Sequence, residues 1–520
     1  MMSKEIKSFV CSEDYPVVQT KEGKVRGYES NGIFTFLGIR YATAARFESA
    51  TPITSWDGIV DTQDYGFTCP QIPPHEVVGN LAFPKRYWPE SEDCLNLNIW
   101  TNHINDRRKK PVIVWLHGGG FATGSSVELE CYDGENMARY GDVVCISLNH
   151  RLNILGFLDL SDYGAPYQLS GIAGMEDIVC ALKWIKENIA EFGGDPDNVT
   201  IFGESGGGGK VRALMQMGSA DGLYSHAIVD SGVLPPESKT PQEQKSEAKR
   251  FAKRIVDAAG GLERLLVIPY HDILTILNKE APGQFMNWNP VPCTGSYKGE
   301  WYNAGFREET LGIPLIVGST FQELMPRPEK INNKDSLTQK ERIEAVIETF
   351  GKEHAVEIGA EFKKAYPELN LYYCTLIDYV IRIATRDFCL DRVKAGGSMT
   401  WNFLFAFETR YKGGLLSTHA DELPFVFHNA EYIGAMFAGE ETAKTESEIF
   451  NAWISFAANG DPNHLGIGRW LPVSEDAHHC FVFSSHSSDR VSHDDKLMDL
   501  VDRYRIKRFG FGPVQNHDEN

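Results

Sequence analysis

Val199-Thr200-Ile201-Phe202-Gly203-Glu204-Ser205-Gly206-Gly207-Gly208-Gly209-Lys210 is an apolar run of strand character that stops at a serine set between glycines. The Gly203-x-Ser205-x-Gly207 frame predicts a sharp strand-to-helix turn, where strained backbone lifts the serine hydroxyl into a cleft and small neighbours let a substrate approach. The same five residues also suit a glycine-rich turn whose serine only caps the next helix. The glycines after Gly206 favour the first reading. Each costs about 1 kcal/mol of helix propensity relative to alanine, and close packing beneath a reactive turn would account for them. A phosphate-binding loop fails, because Lys210 would need glycine at 204 and Ser or Thr at 211, where the chain has Glu204 and Val211. The chemistry predicted is acyl transfer.

Outward from this turn, continuous apolar runs predict strands near 112–116, 143–148, 199–202, 227–229, 314–317 and 399–407, the mark of parallel strands buried on both faces. A helix is expected over about 175–190, with Ile178, Leu182, Ile185 and Ile189 on one stripe, which makes a strand–helix–strand crossover. The fold class that follows is α/β, a doubly wound, mostly parallel central sheet. The more polar helical stretches at about 237–280 and 338–390 read as insertions capping it, and the tail 513–520 as disordered.

The 520 residues carry no Pro/Ser/Gly-rich linker and no charge block, so one large domain, 1–520, is expected. A net charge of −20 argues against nucleic acid and anionic membranes as partners. No stretch approaches 18 uninterrupted apolar residues, and the lysine-bearing start is followed by no apolar core of a signal peptide, which predicts a soluble, cytoplasmic chain. Ten cysteines without a C-x-x-C pair suit a reduced compartment and argue against a zinc ribbon; no metal site or cofactor is expected. His478-His479-Cys480 reads as surface histidines rather than metal ligands. Asn198-Val199-Thr200 matches a glycosylation acceptor by chance, since it leads into a strand.

A tetrahedral intermediate needs preorganised N–H donors about 3 Å from the developing charge. His117-Gly118-Gly119-Gly120-Phe121, directly after a predicted strand, offers bare backbone amides, and the N–H of Gly206 completes the set; the bland alternative is a flexible turn. A base and an orienting acid should follow the serine in the order Ser, Asp or Glu, His. Among fifteen histidines, His419 in the loop after the strand near 399–407 fits, with His428 as rival. Glu323, after the strand near 314–317, is the candidate acid, although a charged residue there also reads as simply solvated.

The chain resembles the type-B carboxylesterases and cholinesterases of the α/β-hydrolase superfamily over most of its length. The segments carrying the likeness run in order: Phe36-Leu37-Gly38-Ile39-Arg40-Tyr41-Ala42, Ser91 through Trp100, the His117 to Phe121 glycine run, Asn188 through Pro196 into the turn at Ser205, and His419-Ala420-Asp421-Glu422-Leu423-Pro424-Phe425-Val426-Phe427. The resemblance implies a triad of Ser205, Glu323 and His419, with Glu204 and Ser231 auxiliary to it, and an oxyanion hole from the amides of Gly119, Gly120 and Gly206. His419 would act as general base with a pH limb between about 5.5 and 7.5, and Glu323 would hold its tautomer.

Several positions depart from the family pattern. Gly206 stands where relatives usually have alanine and should loosen that donor's backbone. Cys69 and Cys94 match a pair that is a disulfide in secreted relatives, with the reduced form equally expected here. Pro84 stands where cholinesterases hold a quaternary ammonium on a tryptophan, so choline esters are disfavoured, and Tyr87 and Trp88 are the nearby aromatics left to line a pocket. The function expected is a serine carboxylesterase acting on small or medium apolar esters. A catalytically silent scaffold of the same fold is the alternative from another class, and a lipase or amidase the alternative among enzymes.

Overall fold

A computed structural model describes residues 8–71, 85–283, 287–323, 334–397, 399–409, 414–437 and 439–506. Its centre is a twelve-stranded sheet. Numbered along the chain, the strands are β1 Phe9–Val10, β2 Tyr28–Ser30, β3 Ile33–Arg40, β4 Asn96–Thr101, β5 Lys110–Leu116, β6 Val144–Leu148, β7 Gly194–Glu204, β8 His226–Asp230, β9 Leu315–Thr320, β10 Thr400–Phe405, β11 His479–Phe483 and β12 Ser488–Val491. Their spatial order is β1-β2-β3-β4-β6-β5-β7-β8-β9-β10-β11-β12. From β6 to β11 every neighbour is parallel. The β1–β4 edge and the β12 edge are antiparallel.

The apolar runs form parallel strands because alternate residues feed two different cores. Val112, Val114, Ile146, Ile201, Val229 and Val317 enter the core on one face, and Ile113, Trp115, Phe202, Ile228 and Ile316 the core on the other. Each large side chain so buried contributes about 1.5–3 kcal/mol relative to exposure. Helix α1, Ala173–Asn188, crosses from β6 to β7 and lays Ile178, Leu182 and Ile185 on the first face. The polar stretches are helical: α3 Pro241–Ala259 and α4 Tyr270–Glu280, then α5 Gln339–Phe350, α6 Ala355–Ala365 and α7 Val380–Lys394. Capping boxes start two of them, Thr240 with Glu243 and Thr338 with Glu341. On the second face, α8 Glu440–Asn459 packs through Ile449, Trp453 and Phe456. Helix α2, Gly206–Met215, follows β7 directly.

Sequence patterning named β5 to β10 but not β3, β4 or β11. In β4, Asn96 and Asn98 break the apolar run, yet all six residues are buried. The Asn98 amide is satisfied by donating to Ser147 Oγ at 3.0 Å and Ser126 Oγ at 3.2 Å, so a polar side chain sits inside the sheet at little cost. His478, read as a surface residue, is instead buried. Its ring nitrogens lie 2.8 Å from Asp495 and 3.1 Å from Asn402. The tail 513–520 lies outside the described residues.

Candidate active site

The carboxyl ends of five adjacent parallel strands converge. The glycine run follows β5, Ser205 follows β7, Asp230 ends β8 and Ser231 follows it, Glu323 follows β9, and His419 lies beyond β10. Loops at this edge of a parallel sheet form the crevice where α/β proteins bind ligands. All eight residues singled out from sequence therefore gather at one end of the molecule, although more than two hundred residues separate Ser205 from His419 in the chain.

Ser205 stands between β7 and α2 with φ 56° and ψ −121°, a strained conformation for a residue with a side chain. Its N–H donates to the Asp230 carbonyl at 2.8 Å, which pins the turn to β8. The flanking glycines are there because backbone fills the space. A Cβ on Gly203 would lie 2.4 Å from the Gly207 carbonyl carbon, and one on Gly207 would lie 2.0 Å from the Leu116 carbonyl oxygen. A Cβ on Gly206 would lie 2.3 Å from Gly120 Cα, N and O. The residue expected to loosen the turn is thus the contact at which the two glycine runs meet. Gly119 and Gly120 adopt φ of 84° and 63°, available to glycine without strain. Their amides find no acceptor among the described residues, and Gly206, first residue of α2, has none within its helix.

Glu323 is buried and fully engaged. Its Oε1 accepts from Ser231 Oγ and from the Thr320 N–H, both at 2.7 Å, and its Oε2 lies 2.5 Å from His419 Nδ1. The reading of Glu323 as a solvated charge is thereby removed. The loop carrying His419 is held by Asp421, which accepts from the Thr418 N–H at 2.6 Å and from its hydroxyl at 2.9 Å. The other ring nitrogen, Nε2, faces Glu204 Oε1 at 3.2 Å. Among the described residues no hydrogen bond joins it to the Ser205 hydroxyl, one residue along the chain; such contacts are often long in free enzymes and tighten with substrate.

Burial would lower the His419 pKa, but the Glu204 and Glu323 carboxylates outweigh it and raise it to about 9. This departs from the limb of 5.5–7.5 expected from sequence, which weighed burial against Glu323 and left out Glu204. Glu204 itself is pushed up to about 7 by burial, against the pull of the His419 charge and with Glu323 adding to the rise.

Two further carboxyls went unread in the sequence. Asp230 and Glu422 are buried, and burial raises both well above the usual range, with Glu204 and Glu323 adding to it. Both favour the neutral form more than an ordinary carboxyl does, whereas Glu204 and Glu323 are the carboxylates that touch His419. Glu422 lies inside the segment quoted around His419, three positions on, and that spacing was the available signal. His428, the rival base, is elsewhere: its Nδ1 is 3.4 Å from Glu446 and its ring stacks on Phe450. Tyr87 is 90 % exposed and Trp88 packs edge-on against Tyr65, so neither builds a buried aromatic wall; Pro84 lies outside the described residues. Cys69 and Cys94 are buried free thiols, and Cys69 Sγ accepts from the Leu152 N–H at 3.2 Å. Among the described residues no three His, Cys, Asp or Glu side chains are disposed to hold a metal ion, and no helix is long and apolar enough to cross a membrane.

A serine on a strained turn, an imidazole backed by a buried carboxylate and a loop of unengaged amides can together carry acyl transfer through a covalent intermediate. Comparisons with known proteins agree with this chemistry. A model of the carboxylesterase family matches residues 14–499. The para-nitrobenzyl esterase of Bacillus subtilis (strain 168) is 30% identical over 487 residues, spanning 91% of this chain and 95% of the relative. An esterase from anaerobic Clostridium hathewayi, described as able to hydrolyse aliphatic aromatic polyesters, superposes with a TM-score of 0.88 at 40% identity, covering 96% of this chain and 100% of that one. The Geobacillus stearothermophilus carboxylesterase superposes with a TM-score of 0.69 at 31% identity, covering 93% and 99%. The fold is that of the α/β-hydrolase esterases.

Proposed function

Because the chain belongs to the carboxylesterase family and is a carboxylic ester hydrolase, we propose that Ser205 is its nucleophile, His419 its general base and Glu323 the acid that orients the base. In this reading Ser205 Oγ attacks the ester carbonyl while His419 leaves Glu204, takes the serine proton on Nε2 and returns it to the departing alcohol. Glu323 keeps the Nδ1 proton in place and stabilises the imidazolium, and Ser231 fixes Glu323. The amides of Gly119, Gly120 and Gly206 receive the oxyanion. Water, activated by the same imidazole, then cleaves the acyl-enzyme to acid and free serine.

The observation that carries this reading is the Glu323–His419 contact of 2.5 Å, on adjacent strand ends beside the strained turn at Ser205. Residues 1–520 act as one hydrolase domain in which the stretches at about 237–280 and 338–390 are insertions; in support, one sheet runs from Phe9 to Val491. The substrates are small or medium apolar esters, and the likeness to the Clostridium enzyme extends the range to aliphatic aromatic polyesters. A cytoplasmic location belongs to the same reading and draws on the ten free cysteines.

The test is a panel of p-nitrophenyl esters of increasing acyl length, run beside a fluorophosphonate label mapped by mass spectrometry. Label on Ser205, with its loss and a kcat several orders of magnitude lower in Ser205→Ala, is the expected result. Retained turnover with the label at another serine would overturn the assignment.

A further inference from the structure

Lys210 is wholly buried, an uncommon state for a lysine without a partner of opposite charge. Among the described residues it makes no ion pair. Its Nζ donates to the His117 carbonyl oxygen at 2.7 Å and lies 5.9 Å from the centre of the Phe121 ring. His117 and Phe121 are the two ends of the glycine run. Lys210 and Gly206 are four residues apart, hence on the same face of α2. Along that face Gly206 touches Gly120, Gly207 touches the carbonyls of Leu116 and His117, and Lys210 reaches the first carbonyl of the run.

The geometry points to Lys210 as a positioning residue of the ester hydrolysis: by holding the His117 carbonyl it clamps the glycine run onto α2, so that the amides of Gly119 and Gly120 stay fixed with respect to Ser205. This rests on the oxyanion role proposed above for those amides. Where the two runs meet closest, at Gly206 against Gly120, the contact is backbone on backbone, and glycines adopt many backbone conformations at similar cost. A tether from the helix that carries the nucleophile removes that freedom. Burial lowers Lys210 to about 7, against the opposing pull of Glu128 and Glu204. His117 and His150, the other titratable groups facing it, are held neutral, first by burial and then by the Lys210 charge. The amine donates to a carbonyl whether charged or neutral, so the clamp persists on both sides of neutral pH.

A buried cation facing only a carbonyl is a poor stabiliser, so fold and activity should separate in Lys210→Met, which keeps the volume and removes the donor. The unfolding midpoint is expected to stay level or rise. Per active site titrated to completion with fluorophosphonate, kcat should fall about ten- to a hundredfold with KM within about twofold, the size of effect a misplacement of about 1 Å produces. The inhibition constant of a trifluoromethyl ketone, whose serine adduct carries the oxyanion, should rise by the same factor as kcat falls. If Lys210→Met does not accumulate, Lys210→Gln, with a shorter and neutral donor, is expected to lose at least fivefold in kcat with KM unchanged. Values of kcat and ketone inhibition within twofold of the parent would overturn the clamp, as would losses that track only the folded fraction. Ser205→Ala is measured alongside: if it remains active, the nucleophile assignment fails, whereas an inactive Ser205→Ala beside an unaffected Lys210→Met sinks the clamp alone.

Discussion

Replacing Glu204 by Gln should move the acid limb of kcat/KM to lower pH by about 3 to 4 pH units. His419 must be neutral to accept a proton, and its pKa of about 9 means that the neutral imidazole accumulates only as pH rises through that value. Glu204 Oε1 is 3.2 Å from Nε2. At an effective dielectric constant of about 20, two unit charges at that distance attract by about 5 kcal/mol, which would shift a pKa by roughly 3 to 4. That exceeds the net rise from the ordinary histidine value to about 9, because burial pulls the other way. Removing the Glu204 charge leaves Glu323 to oppose burial, and the limb should fall from near 9 to about 5 to 6. Glu204 titrates near 7 in the same contact, so the parent's protons belong to the pair and leave in two steps, of which the upper one governs activity. The plateau should drop about tenfold in the variant, since a carboxylate that steadies the imidazolium is gone. The assay is kcat/KM for p-nitrophenyl acetate from pH 5 to 10, corrected for spontaneous hydrolysis. A parent limb below pH 7, or a limb that stays within about 0.3 pH units in Glu204→Gln, would refute the reasoning.

Gly206→Ala brings a Cβ to within 2.3 Å of Gly120 backbone atoms, which cannot yield as a side chain would; the glycine run must shift, and kcat should fall about tenfold or more at nearly constant KM. Active-site-titrated kinetics check this, and an unchanged kcat would mean that the two runs separate freely. Arg151→Met removes one partner of a buried pair whose Nη2 and Nε lie 2.6 and 2.8 Å from Asp177, with side-chain exposures of 4 and 0 %. An uncompensated Asp177 should cost about 3–5 kcal/mol. It would be read as a lower urea midpoint at unchanged slope, and a midpoint equal to the parent's would contradict it.

The sequence by itself determined strands β5 to β10, the strained turn and the residues proposed to react. Strand runs such as Val112–Leu116 and Val199–Phe202 are legible because burial on both faces demands unbroken apolar residues. Ser205 is legible because its turn admits only glycine at the flanking positions, which the 2.0 and 2.4 Å approaches explain. His419 and Glu323 were named by chain order and by resemblance, but only the parallel register of β9 and β10 brings them to 2.5 Å. The proton affinities of the buried carboxyls are a tertiary matter. Glu204, Asp230 and Glu422 are ordinary acids along the chain, and their pKa values depart from the usual range only because folding buries them together. Lys210 likewise reads as a helix residue until the fold turns it onto the His117 carbonyl. Local pattern fixes what each segment must bury; which buried charges then face one another depends on distances between segments far apart in the chain, which no local pattern encodes.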